Sequence, residues 1–177
     1  MPSRLSRWIA ICSFSPLLPV AFGSTVDAQE QRGRWPLVHV PDPVARRATT
    51  GALEAASARL AEDACREILT EFDDANGRSL ASQLSSVATD MDSYLKMITF
   101  VDGTRDQRCD SGALLFTAPG RRVVRVCSDQ LKRIAPLKPD YVVASFIHEI
   151  LHTLGLGENP PSSSQITARV LARCGRT

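Results

Sequence analysis

The chain has 177 residues, 21 Lys and Arg against 19 Asp and Glu, and a formal net charge of +2. Charges of both signs are intermixed, so there is no electrostatic footprint for nucleic acid or for an anionic membrane surface, and neither is expected as a partner. After removal of an N-terminal leader about 150 residues remain, the size of one domain.

Arg4 and Arg7 precede an apolar stretch from Trp8 to Gly23, followed by small residues around Val26-Asp27-Ala28. This is the layout of a secretory signal peptide over 1–28, with cleavage after Ala28 and Gly23 as the competing position. The stretch is broken by Pro16 and Pro19. It is short for a membrane span, which takes about 20 residues, so stable membrane insertion is not expected. An exported protein, secreted or periplasmic, follows.

Without Cys12 the chain keeps Cys65, Cys109, Cys127 and Cys174, an even set suited to structural disulfides. Three pairings are open. Cys109–Cys127 with Cys65–Cys174 is favoured, the first closing a hairpin and the second tying an early helix to the last one.

Residues 29–50 are rich in Pro, Arg and polar side chains and read as a loose N-terminal arm, ahead of a domain over 51–177. Leu53, Ala56, Leu60, Ala61, Cys65, Ile68 and Phe72 recur at helical spacing, predicting one helix that ends before Asn76-Gly77. Leu80, Leu84, Val87, Met91 and Leu95 predict a second. Ile98–Val101 reads as a short strand ending at an Asp102-Gly103 turn. Residues 113–117 and 122–127 flank Pro119-Gly120 as a hairpin. Ser128 is placed to cap a short helix through Ile134. Pro139-Asp140 then opens a longer helix, since proline suits the first turn and an acid favours the N-terminal end. Pro160-Pro161 blocks helix, and Ser162 with Gln165 forms a capping box for a last helix bearing Ile166, Val170 and Cys174.

The chemistry concentrates in the long helix. Of three histidines, two fall in His148-Glu149-Ile150-Leu151-His152. Residues i and i+4 share a helix face, so two imidazoles can converge on one metal ion. Val143, Phe146, Ile147, Ile150, Leu151 and Leu154 form an apolar stripe that buries the helix, with the histidines turned towards a cleft. Ser145 and Tyr141 share the histidine face and are expected to pack there. Gly155 can end the helix, because glycine tolerates the left-handed backbone. Glu158 stands ten residues after His148.

Over Val143–Pro161 the chain resembles the zincin metallopeptidases, with a metzincin-like H-E-x-x-H-x-x-G-x-x-E arrangement. Two departures from that family stand out: a glutamate takes the place of its usual third histidine or aspartate, and no methionine follows Met97 to form a methionine turn. The other large zincin class draws a glutamate ligand from a downstream helix. Glu158 is the only acidic residue between Ile150 and Thr177, and no histidine follows His152, so Glu158 is the expected third ligand. His39 is expected to be a surface or core residue. The resemblance implies an α+β zincin-like domain, its helices packed on a short sheet or hairpin. It implies Zn2+ held by His148, His152 and Glu158, with Glu149 as general base for hydrolysis of a peptide or protein substrate by a monomer. Two other readings stay open from the residues alone: an exported binding module stapled by zinc, and a disulfide-bonded protein without metal.

Overall fold

The computed structural model describes residues 36–175. The expected leader over 1–28 and the first part of the expected arm lie outside the described residues. The fold is α+β, as expected: a four-stranded mixed sheet with helices packed around a long helix near the C-terminus. The strands are β1 (Leu37–His39), β2 (Thr99–Asp102), β3 (Leu115–Phe116) and β4 (Val123–Val126). Their order is β1-β2-β4-β3, with β1, β2 and β4 parallel and β3 antiparallel to β4. The predicted hairpin is therefore present, with β3 on the sheet edge.

The arm over 29–50 is corrected from residue 36 onward. Leu37–His39 pairs with Thr99–Val101, and helix α1 runs from Pro43 to Ala61. Asp42 caps it, its Oδ1 accepting from the Val44 and Ala45 amides at 2.9 and 2.8 Å. Pro43 fits the first turn, where an amide donor is not required. Ala45, Thr49 and Ala52 lie buried ahead of Leu53, Ala56 and Leu60. That face is made of small side chains, whose weak hydrophobic contrast hides the helical period.

The two predicted helices after it are each broken. Glu62 takes an extended backbone and ends α1, and the chain restarts as α2 (Asp63–Arg66) and α3 (Ile68–Glu71). Likewise Ala88 is extended after α4 (Leu80–Val87), and Asp90 caps α5 (Met91–Leu95) through the Ser93 amide at 2.7 Å. Val87 is exposed at this break, while Leu80, Leu84, Met91 and Leu95 enter the core.

Both favoured disulfides are formed, Cys65–Cys174 and Cys109–Cys127. Cys109 sits on the short helix α6 (Gln107–Asp110), so its bridge pins α6 to the end of β4 rather than closing the hairpin. Cys65 joins α2 to α9 (Ser163–Cys174). Ser128 does not cap α7 (Ser128–Ile134); its hydroxyl donates to Asp102 Oδ1 at 2.6 Å and ties α7 to β2 instead. No helix of the described residues is long and apolar enough to cross a membrane.

Helix α8 (Pro139–Thr153) is the centre of the molecule. Val143, Phe146, Ile147, Ile150 and Leu151 are buried, and the Phe146 ring meets Phe100 of β2 at 5.8 Å between centroids. Helices α1 and α9 and strand β3 pack around α8. Burying about five large apolar side chains, each contributing about 1.5–3 kcal/mol, fixes the helix and hence its polar face.

Candidate metal centre

His148 and His152 project from α8 one turn apart, each only 4% exposed. Their Nε2 atoms face each other at 2.9 Å. Glu158, from the loop after α8, brings Oε1 to 3.5 Å from His148 Nε2 and 3.3 Å from His152 Nε2. All three expected ligands are thus brought together in a group able to hold a metal ion. Two ligand atoms at about 2.0–2.1 Å from a tetrahedral zinc stand roughly 3.3 Å apart, so the triangle has metal-site dimensions.

The far side of each ring supports the same reading. His152 Nδ1 is 2.7 Å from the Leu156 carbonyl oxygen, which only accepts, so Nδ1 carries the proton and Nε2 a lone pair. His148 Nδ1 is 2.9 Å from Thr167 Oγ1 on α9; with that hydroxyl accepting, its Nε2 also presents a lone pair. With both rings in that tautomer, two lone pairs and a carboxylate oxygen point at one another. A cation resolves that repulsion, and the donor set suits one. Burial, together with neighbouring His152, pushes the His148 pKa down to about 4, so the ring is neutral and free to ligate at neutral pH.

Thr167 is a residue that sequence pattern did not identify. It lies on a different helix, and nothing in its local context distinguishes it from a surface threonine. Outer partners of this kind orient the ligand ring and raise its basicity. Thr167→Val is expected to lower the site's metal affinity about tenfold to a hundredfold, leaving the fold intact, as read by competition with a chromogenic chelator.

Glu149 lies beside the ligands. Its Oε2 is buried without a hydrogen-bond partner. Burial pushes its pKa up to about 8, a rise partly offset by the Thr117 backbone N–H and reinforced by the Glu158 charge. The hairpin supplies a second tie to the site, as the Gly120 amide donates to the His152 carbonyl at 2.8 Å. Elsewhere on the histidine face, Ser145 donates to the Tyr141 carbonyl at 2.8 Å and Tyr141 is exposed; neither belongs to the ligand group. His39 is exposed on β1 and is also outside it.

The loop carrying Glu158 is anchored from the opposite direction. Gly155 has φ 111°, the left-handed backbone that favours glycine, and a Cβ there would meet the Asp74 Cβ at 3.2 Å. Asp74 also forms a backbone bridge to Leu156, whose carbonyl holds His152. The Asp74 carboxylate accepts from the Asn76 and Arg78 amides at 2.8 and 2.9 Å, and from the Arg78 and Gln83 side chains. The Arg78 amide, chief among these, holds its carboxyl well below the usual carboxylate range, against the opposing effect of burial. A depressed carboxylate adds stability above its unfolded value, near 3.8, and loses it as pH falls further. Asp74→Asn should therefore melt lower than wild type at neutral pH. The two curves should begin to approach each other as pH falls below about 4 in thermal denaturation, with part of the difference still present at about pH 2.

Comparison with known protein families, with curated proteins and with solved structures gives no match.

Proposed function

We propose that this chain is an exported zinc-dependent hydrolase acting on peptide bonds, of zincin-like type. One observation carries the reading: His148 Nε2, His152 Nε2 and Glu158 Oε1 converge within metal-ligand spacing, and Glu149, next in the helix to His148 and within reach of the Glu158 charge, keeps a buried Oε2 without a partner. Two imidazoles and a carboxylate are a catalytic zinc set, leaving room for substrate where a structural site closes with a fourth protein ligand. Zinc held by these three atoms supplies Lewis acidity towards a carbonyl oxygen and lowers the pKa of water in its reach.

The protein's own groups do the proton work. Glu149 Oε2 accepts a proton from the attacking water and delivers it to the nitrogen of the departing amine. An elevated affinity for protons, caused by burial, suits a group that must take one up and give it back near neutral pH. The Leu156 carbonyl keeps His152 in the tautomer that ligates through Nε2, and the Thr167 hydroxyl, when it accepts, does the same for His148. Edge strand β3 leaves one side of its backbone free of sheet pairing, where an extended peptide can lie. Two disulfides support an oxidising compartment, secreted or periplasmic.

Zinc titration of the purified full chain tests the reading, together with release of new amino termini from an unfolded protein substrate. One zinc per chain is expected, lost in His152→Ala and weakened in Glu158→Ala, with hydrolysis removed by chelator and restored by zinc. Tight zinc binding with no hydrolysis of any peptide would leave a zinc-stapled binding module. Absence of zinc binding would end both.

A further inference from the structure

The hairpin that flanks Glu149 also builds a groove. Its outer face encloses about 430 Å3, walled by Thr117, Gly120 and four arginines, Arg108, Arg121, Arg122 and Arg125, with no carboxylate in the lining. In a chain with 21 basic and 19 acidic residues, four guanidinium groups around one hollow are a marked local excess. Arg108 is engaged by Asp106 and lies over the Phe116 ring at 3.8 Å. Arg122 leans over Tyr94 at the groove's border. Arg121 and Arg125 are exposed, and among the described residues neither enters an ion pair.

This groove shares its hairpin with the candidate metal centre. Gly120, in its wall, donates to the backbone carbonyl of His152. Strand β4 sets the spacing within it: Val124 and Val126 point into the core, and Arg125 projects from the opposite face. An extended polypeptide lying along the hairpin presents alternate side chains in the same rhythm. Guanidinium groups take carboxylates through paired, charge-assisted hydrogen bonds.

We propose that the groove selects acidic polypeptides, with Arg121 and Arg125 receiving Asp or Glu side chains of the substrate next to the bond to be cut. The proposal rests on the hydrolase reading for its role in cleavage, but its binding step can be measured without turnover. The probe is a fluorescein-labelled peptide of alternating Glu and Ala, compared with its Gln-Ala isostere, read by anisotropy on the zinc-loaded full chain. The acidic peptide should bind about tenfold or more tightly than the isostere. The preference should vanish in Arg121→Gln/Arg125→Gln and persist in part in Arg121→Lys/Arg125→Lys, which keeps the charges. Unchanged zinc stoichiometry and melting temperature in both variants would show that the fold survives. Equal binding of the two peptides, or a preference that outlasts Arg121→Gln/Arg125→Gln, would overturn the proposal. So would tighter binding of a single-stranded oligonucleotide than of the acidic peptide. If the acidic preference holds and no peptide is cut, the groove stands and the hydrolase reading falls.

Discussion

On the proposed hydrolase reading, Glu149→Gln should bind one zinc like wild type and lose about a hundredfold to ten-thousandfold in peptide hydrolysis, the range associated with a positioned general base. The side chain keeps its size, and the three ligand atoms belong to other residues. A retained zinc stoichiometry would thus separate loss of proton transfer from loss of the site. Burial of an Oε2 without a partner disfavours the charged carboxylate, and the neutral amide removes that cost. The variant should therefore melt no lower than wild type at neutral pH. Hydrolysis that persists at wild-type rate would remove Glu149 from the chemistry.

Replacing Cys65 and Cys174 with alanine should cost about 4–5 kcal/mol of stability, against about 3 kcal/mol for the same change at Cys109 and Cys127. The difference comes from loop length: the first bridge spans a sequence separation of 109 residues and the second 18, and a longer closed loop removes more freedom from the unfolded chain. A second effect distinguishes them. Helix α9 carries Thr167 and is held at its far end by Cys174, with Arg169 and Arg173 paired to Glu71 of α3. Loosening α9 lets Thr167 leave His148, so the Cys65–Cys174 variant should also hold a metal ion at the candidate site more weakly. Urea denaturation and chelator competition on both variants read the two effects. Equal costs for the two bridges would show that native strain or residual structure, not loop length, dominates.

Much of the site was legible because it is local. His148, Glu149, His152, Gly155 and Glu158 fall within eleven consecutive positions. A four-residue spacing on a helix and a glycine turn bring them together without reference to the remaining chain. The Ser162–Gln165 capping box is local in the same sense, and it is present. What escaped was long-range or low in contrast. Thr167 reaches His148 only because α9 docks against α8. Asp74 supports the ligand loop from a turn far upstream. Strand β1 has three residues, and its partner comes some sixty positions later. The first half of α1 buries alanine and threonine, which carry little periodic signal. The breaks at Glu62 and Ala88 escaped because the apolar spacing runs through both, although Asp90, which caps α5, is a local signal for the second.

The parallel pairing of β1 with β2 has a consequence for the order in which the molecule can take shape. A chain appearing from its N-terminus presents Leu37–His39 first, but that strand has nothing to pair with until Thr99–Val101 arrives. The sheet gains its last strand only with Val123–Val126, and α8 comes later still. Contacts so distant in sequence delay collapse, because loop closure must precede any return from pairing. The three ligands and Thr167 then complete the centre last, near the C-terminus. A partly made chain therefore lacks the complete candidate ligand group, and deletion of α9 alone would remove Thr167 and the Cys174 tether together.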